Sequence, residues 1–218
     1  MTIFKRALLL IVVIVIAYMV AYPSYSWHQK MTIEVETPEG LVSGSSVVAV
    51  KWSSQPELLA EIQPFYNEMH GEAVVVALPD GKYIFARLGN YRNESYTQNL
   101  ATQILYDTTK RERSKEAFRR VTKHDEPMLV PQKLYPPLVT FTNVNDPTTV
   151  KHVDLDDLAA TFGEGYSLKS ITLEITDEPV TRGRVEEVLN WLFKDGRGGA
   201  FFIDHETAYA TILERKKQ

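Results

Sequence analysis

The chain of 218 residues contains no cysteine. That excludes disulfides, thiol nucleophiles, cysteine-ligated zinc and lipid attachment through an N-terminal thiol. An oxidising compartment permits disulfides but does not require them. The roughly 195 residues beyond Pro23 are enough to bury a core without such staples. Excess charge is also missing: 24 Lys and Arg stand against 28 Asp and Glu, a net charge of −4. That total includes the cations Lys5 and Arg6, the only charges before Lys30, so −6 remains for the rest. Mild acidity argues against a general nucleic-acid binder. No repeat or low-complexity tract is present. Neither Gly163-Glu164-Gly165 nor Gly196-Arg197-Gly198-Gly199 completes a dinucleotide or P-loop fingerprint. Ser43-Gly44-Ser45-Ser46 lacks the spacing of a nucleophile elbow.

The absence of charge from residue 7 to residue 29 marks the N-terminus. Residues 7–22, ALLLIVVIVIAYMVAY, are apolar apart from two tyrosine hydroxyls. At about 1.5 Å per residue they cover roughly 24 Å, and Ile3 and Phe4 lengthen the run towards the ~30 Å of a bilayer core. Pro23 stops the helix. Tyr18, Tyr22, Tyr25 and Trp27 fall where an outer aromatic belt is expected. Lys5 and Arg6 precede the run, so the positive-inside rule puts the N-terminus in the cytoplasm and the domain outside it. The segment reads as an uncleaved signal-anchor over 1–26. The lesser alternative is a cleaved secretory signal with Ser24-Tyr25-Ser26 as a poor small-x-small site.

Beyond the anchor the periodicity predicts an α+β domain. MTIEVET (31–37) alternates apolar and polar residues and pairs with 44–52 in a hairpin across Pro38-Glu39-Gly40. Residues 56–70 read as partly helical through Leu58, Leu59, Ile62 and Phe65. Residues 72–78 and 82–88 flank Pro79-Asp80-Gly81, the strongest hairpin signal in the chain. Residues 93–124 read as mostly helical, with one stripe of Tyr96, Leu100 and Ile104 and another of Ala117, Phe118 and Val121. Pro127, Pro131, Pro136 and Pro137 make 127–137 a stiff connector and the best subdomain boundary, between 27–126 and 138–218. After it come a strand in PLVTFTNV, a short helix capped by Asp154 and ended by Gly163, a strand over 168–176, and a helix capped by Thr181. Two strand-like segments close the chain.

Three clusters carry chemistry-bearing residues. His152, Asp154, Asp156 and Asp157 have metal-ligand character, but acidic residues at a helix start serve equally as cap and dipole partner. Asp204, His205 and Glu206 put an imidazole between carboxylates, the composition of a general base; a turn between two strands has the same composition. The segment 110–123, KRERSKEAFRRVTK, concentrates cations in an acidic protein. Arg113, Lys115, Arg119 and Arg120 are the residues expected to contact lipid or partner, at about 1 kcal/mol each near an anionic surface. A solvated helix face is the plainer reading.

WHQKMTIEVETPEGLVSGSSV (27–47) and LVTFTNVNDPTTVKHVDLDDLAATFGEGYSLKSITLEITDEPVTRG (138–183) resemble an uncharacterised proteobacterial family of small membrane-anchored or exported proteins. The resemblance covers about 70 residues and implies a Gram-negative envelope location. It implies no activity and no site residue. The sequence therefore points to a single-pass inner-membrane protein whose periplasmic domain acts as a binding or accessory module. Its expected partners are the membrane and anionic lipid or an acidic envelope protein, with no cofactor and no nucleic acid. The alternative is an envelope hydrolase with a His/carboxylate site.

Overall fold

A computed structural model describes residues 3–56, 63–89, 95–106, 114–192, 200–203, 208–211 and 213–214, with side-chain detail ending at 192. Helix α1 (Ile3–Ala21) is 19 residues long, about 28 Å at the α-helical rise. It is exposed along its length and is long and apolar enough to cross a membrane.

A mixed α+β domain follows, built on two antiparallel sheets. Strands β1 (Ser24–Thr37) and β2 (Gly40–Ser54) form a long hairpin, with Ser24 opposite Ser53 and Thr37 opposite Gly40. Strand β3 (Phe65–Glu72) pairs with β2. This corrects the helical reading of the segment: Phe65, Asn67 and Met69 alternate with the exposed Tyr66 and Glu68, the period of a strand. Leu58, Leu59 and Ile62 lie outside the described residues. A second hairpin joins β4 (Val74–Ala77) to β5 (Tyr83–Ala86). It turns at Asp80 and Gly81, with φ of 60° and 67°, the paired left-handed residues that match strand twist.

Helices α2 (Tyr96–Leu105) and α3 (Lys115–Val121) follow, and both predicted stripes face inward. Strand β6 (Met128–Leu129), within the proline-rich stretch, joins β9 (Ser167–Thr176) at the edge of the first sheet. Strand β7 (Leu138–Phe141) pairs with β5 and with β8 (Val150–Val153). Helix α4 (Leu158–Phe162) ends at Gly163 as expected, but its cap is Asp157, whose carboxylate accepts the Ala160 N–H at 3.0 Å. Helix α5 is Arg184–Val188. Strands β10 (Ala200–Ile203) and β11 (Ala208–Thr211) pair with each other, and β12 (Leu213–Glu214) adds to β3.

The larger sheet runs β12-β3-β2-β1-β9-β6 and the smaller β4-β5-β7-β8. Each takes strands from both sides of 127–137. The inner face of the larger sheet is covered in two parts. Near α1, α2 and α3 pack on it: the Phe118 ring stacks on Trp52 at 5.0 Å between centroids and meets Tyr25, Trp27 and Phe65. Farther along, the smaller sheet covers it through Val74, Val76, Ile84 and Leu138. The opposite face of the smaller sheet, with Phe85, Val139 and Phe141, is sealed by Val185, Leu189 and Trp191. Tyr25 and Trp27 are thus core residues and not part of an aromatic belt; alternation along β1 turns both inward. The sheets approach closely at Gly44, where a Cβ would lie 2.2 Å from the Val75 carbonyl oxygen.

Candidate functional site

Two surface features collect the chemistry of the described residues. The first is the junction between α1 and the domain. Pro23 separates helix from strand, and its carbonyl accepts both the N–H (3.1 Å) and the hydroxyl (2.9 Å) of Ser54. The last helical carbonyl, that of Ala21, accepts the Lys115 ammonium at 2.7 Å. A cation at a helix C-terminus meets the negative end of the helix dipole. Helix α3 is held there by Phe118 on its inner side and started by Ser114, whose hydroxyl caps the Ala117 N–H at 3.1 Å. Lys115 and Arg119, four residues apart, share one side of α3. Arg119 is exposed, and the Arg120 guanidinium lies 5.1 Å from the centre of the Tyr106 ring. Arg113 lies outside the described residues.

The second feature is the outer face of the larger sheet. Alternation puts Ser26, His28 and Lys30 of β1 on this face. The register puts His28 beside Ala49 of β2 and Thr176 of β9, and Ala49 beside His70 of β3. One row nearer α1, Ser26 neighbours Lys51, which neighbours Glu68.

Residues 177–183 then cross this face as a strap, from β9 over β1 and β2 to β3. The Glu178 carboxylate bridges Lys30 at 2.6 Å, and its carbonyl accepts the Nδ1–H of His28 at 2.7 Å. Thr181 pairs with Val47 through its N–H (3.0 Å) and its hydroxyl oxygen (2.9 Å). Thr181 therefore ties the strap to β2 and does not cap α5. The Glu72 carboxylate does that, accepting the N–H groups of Gly183 and Arg184 at 3.0 Å each.

Between the strap and the α1 end lies an open basin of about 430 Å³. It is lined by Ser26, His28, Lys51, Glu68, His70 and Asp177, with Ala49 as a small floor residue. A carbonyl can only accept, so the His28 proton sits on Nδ1, and Nε2 accepts when the ring is neutral and donates when it is protonated. Lys51 and Glu68 stand 3.8 Å apart, an ion pair too long for a strong hydrogen bond.

Neither histidine was singled out from sequence. They are 42 positions apart, and only the β1–β2–β3 register brings them to either side of Ala49. The available signal was the outward alternation of Ser26, His28 and Lys30, once β1 is extended back to Ser24.

The acidic run near β8 is engaged locally. The Asp154 carboxylate accepts the Asp156 N–H at 3.0 Å, Asp156 accepts from the Gln132 side-chain amide at 2.6 Å, and Asp157 caps α4. His152 is exposed on β8 opposite Val139. Among the described residues no group of three or more His, Asp or Glu is placed to hold a metal ion. Asp204, His205 and Glu206 lie outside the described residues.

Between the sheets, Gln29, Glu72 and Arg87 line a cavity of about 20 Å³, room for one water. Burial raises the Glu72 carboxyl and lowers the Arg87 guanidinium from their ordinary values. Gln29 accepts from the Trp27 indole (2.9 Å) and donates to the Thr97 carbonyl (2.8 Å). Gln29 thus ties β1 to α2, and Glu72 ties β3 to the start of α5.

No family model, no curated protein and no solved structure matches the chain.

Proposed function

We propose that this protein is a binding module held at the outer surface of a Gram-negative inner membrane. Helix α1 is its uncleaved anchor, and α3 is its contact with anionic headgroups. The observation that carries the reading is the Lys115 ammonium on the Ala21 carbonyl. A membrane crossed by α1 has its surface at that carbonyl, so Lys115 and Arg119 lie at headgroup level, each adding about 1 kcal/mol near an anionic surface. The uncleaved anchor draws support from β1. Removal of residues through Ser26 would delete three residues of its pairing, the Tyr25 contact with Phe118 and the Pro23 acceptor of two Ser54 bonds. The outward orientation of the domain rests on Lys5 and Arg6.

Because the chain has no cysteine, a single engineered thiol reports position cleanly. Thr122→Cys, beside Arg119, and Glu39→Cys, at the far turn of the β1–β2 hairpin, are labelled with a fluorophore in full-length protein reconstituted into liposomes. A quencher carried on lipid headgroups reads proximity. The Thr122 label is expected to be quenched strongly, more so with anionic lipid and less at high salt. The Glu39 label, roughly 45 Å along β1, is expected to be silent. Equal quenching of the two labels refutes the placement of α3.

A further inference from the structure

We propose that the basin on the outer face of the larger sheet binds a compact zwitterion, a primary ammonium joined to a phosphate. Its lining carries both signs of charge in an order set by the strands. Asp177 stands at the β9 side, Lys51 on the central β2 and Glu68 on β3, with the His28 and His70 row alongside. Lys51 and Glu68 are both about half exposed and only loosely paired, so each retains capacity for a ligand. An ammonium supplies N–H donors to Glu68 or Asp177, which only accept. A phosphate takes the Lys51 ammonium and a donated N–H from Nε2 of His28 when that ring is protonated. The strap gives His28 a fixed ring through the Glu178 carbonyl, so its contribution is preorganised. Ala49 between the two histidines leaves the floor open.

Two sources carry this chemistry: the headgroup of an aminophospholipid and free phosphoethanolamine. The first is within reach, because Ser26 is only two strand residues, roughly 7 Å, beyond the start of β1 at the α1 junction. The lipid source rests on the anchored placement argued above. The site itself does not.

The test uses full-length protein in nanodiscs of phosphatidylcholine, whose quaternary ammonium has no N–H to donate. Phosphoethanolamine is titrated by calorimetry, with inorganic phosphate and ethanolamine as its separate halves, while the His28 ring is followed by NMR. The expected result is saturable binding of the whole molecule, at least about tenfold tighter than either half, with a shift of the His28 signals. Lys51→Gln and Asp177→Asn, exposed and uninvolved in the core, are each expected to weaken it by about tenfold. Nanodiscs containing phosphatidylethanolamine then separate the sources: competition with the soluble ligand assigns the lipid, and unchanged soluble affinity assigns the free compound. The proposal is overturned if phosphate alone binds as well as phosphoethanolamine, if nothing binds saturably, or if both variants bind like the parent. Headgroup quenching at Thr122 is independent of all these outcomes, so failure of the basin and failure of the α3 placement are told apart.

Discussion

The carboxylate of Glu72, at the end of β3, accepts the backbone N–H of Arg184, 112 residues away, at 3.0 Å. Its second oxygen accepts from Gly183 at 3.0 Å. One buried side chain thus fixes the end of the strap, starts α5 and ties the larger sheet to the element that seals the smaller one.

Both Glu72 oxygens accept, so Glu72→Gln must turn an amide NH₂ towards a backbone N–H. A loss of about 1–3 kcal/mol is expected, read as a lower urea midpoint at neutral pH. Burial outweighs the N–H groups of Gly183, Arg184 and Val185 and holds the carboxyl above its ordinary value of 4.5. The folded state then binds the proton more tightly than the unfolded one. The favourable linkage is complete below the unfolded value and is lost as pH rises through the folded one. The gap between parent and Glu72→Gln should therefore shrink from mildly acidic to neutral pH. A gap that widens over that range contradicts the assignment.

Gly44 predicts a different failure. A Cβ there meets the Val75 carbonyl oxygen at 2.2 Å, and backbone cannot step aside as a side-chain tip can. Gly44→Ala is expected to cost at least about 1–3 kcal/mol, the range for overpacking, despite adding one methyl. Ser43→Ala, exposed on the adjacent position of β2, is the control and should leave thermal unfolding within a degree or two.

At the β4–β5 turn, Gly81→Val forces a β-branched residue to φ 67° and is expected to cost about 1–2 kcal/mol. Ile84, fully buried on β5, should cost about 2–5 kcal/mol on truncation to Ala. An unchanged urea midpoint for Ile84→Ala would remove it from the core.

This hairpin was legible because its signal is local: Pro79-Asp80-Gly81 between two apolar runs. The stripes of α2 and α3 and the alternation of β9 were legible for the same reason. What escaped depended on partners far away in the chain. Phe65 matched a helical spacing with Leu58 and Ile62, while the competing strand period in Phe65, Asn67 and Met69 was settled by pairing with β2. Tyr25 and Trp27 suit a membrane interface by composition; their burial follows from Phe118, over 90 positions later. The strap, DEPVTRG, has no periodicity at all. Its course is set by Glu178, Thr181 and Gly183 finding partners on β1, β2 and β3 in turn. The basin histidines belong to the same class.

Phe118 links fold and placement, which makes it the sharpest test of the junction. Its ring is fully buried against Trp52, Tyr25, Trp27 and Phe65, and it is the main side chain pinning α3 to the sheet. Phe118→Ala is expected to cost about 3–5 kcal/mol. Phe118→Leu keeps most of the volume and should lose less. Lys115→Gln removes only the ammonium on the Ala21 carbonyl, an exposed contact worth a fraction of a kcal/mol, and should leave the unfolding transition of the domain almost unmoved. The two changes should part in the liposome experiment. Phe118→Leu keeps α3 seated and the Thr122 label quenched, whereas Lys115→Gln combined with Arg119→Gln keeps the fold and weakens the dependence of quenching on anionic lipid. If the double variant keeps the full lipid dependence, the cations of α3 are a solvated face and the contact with the bilayer is made by α1 alone.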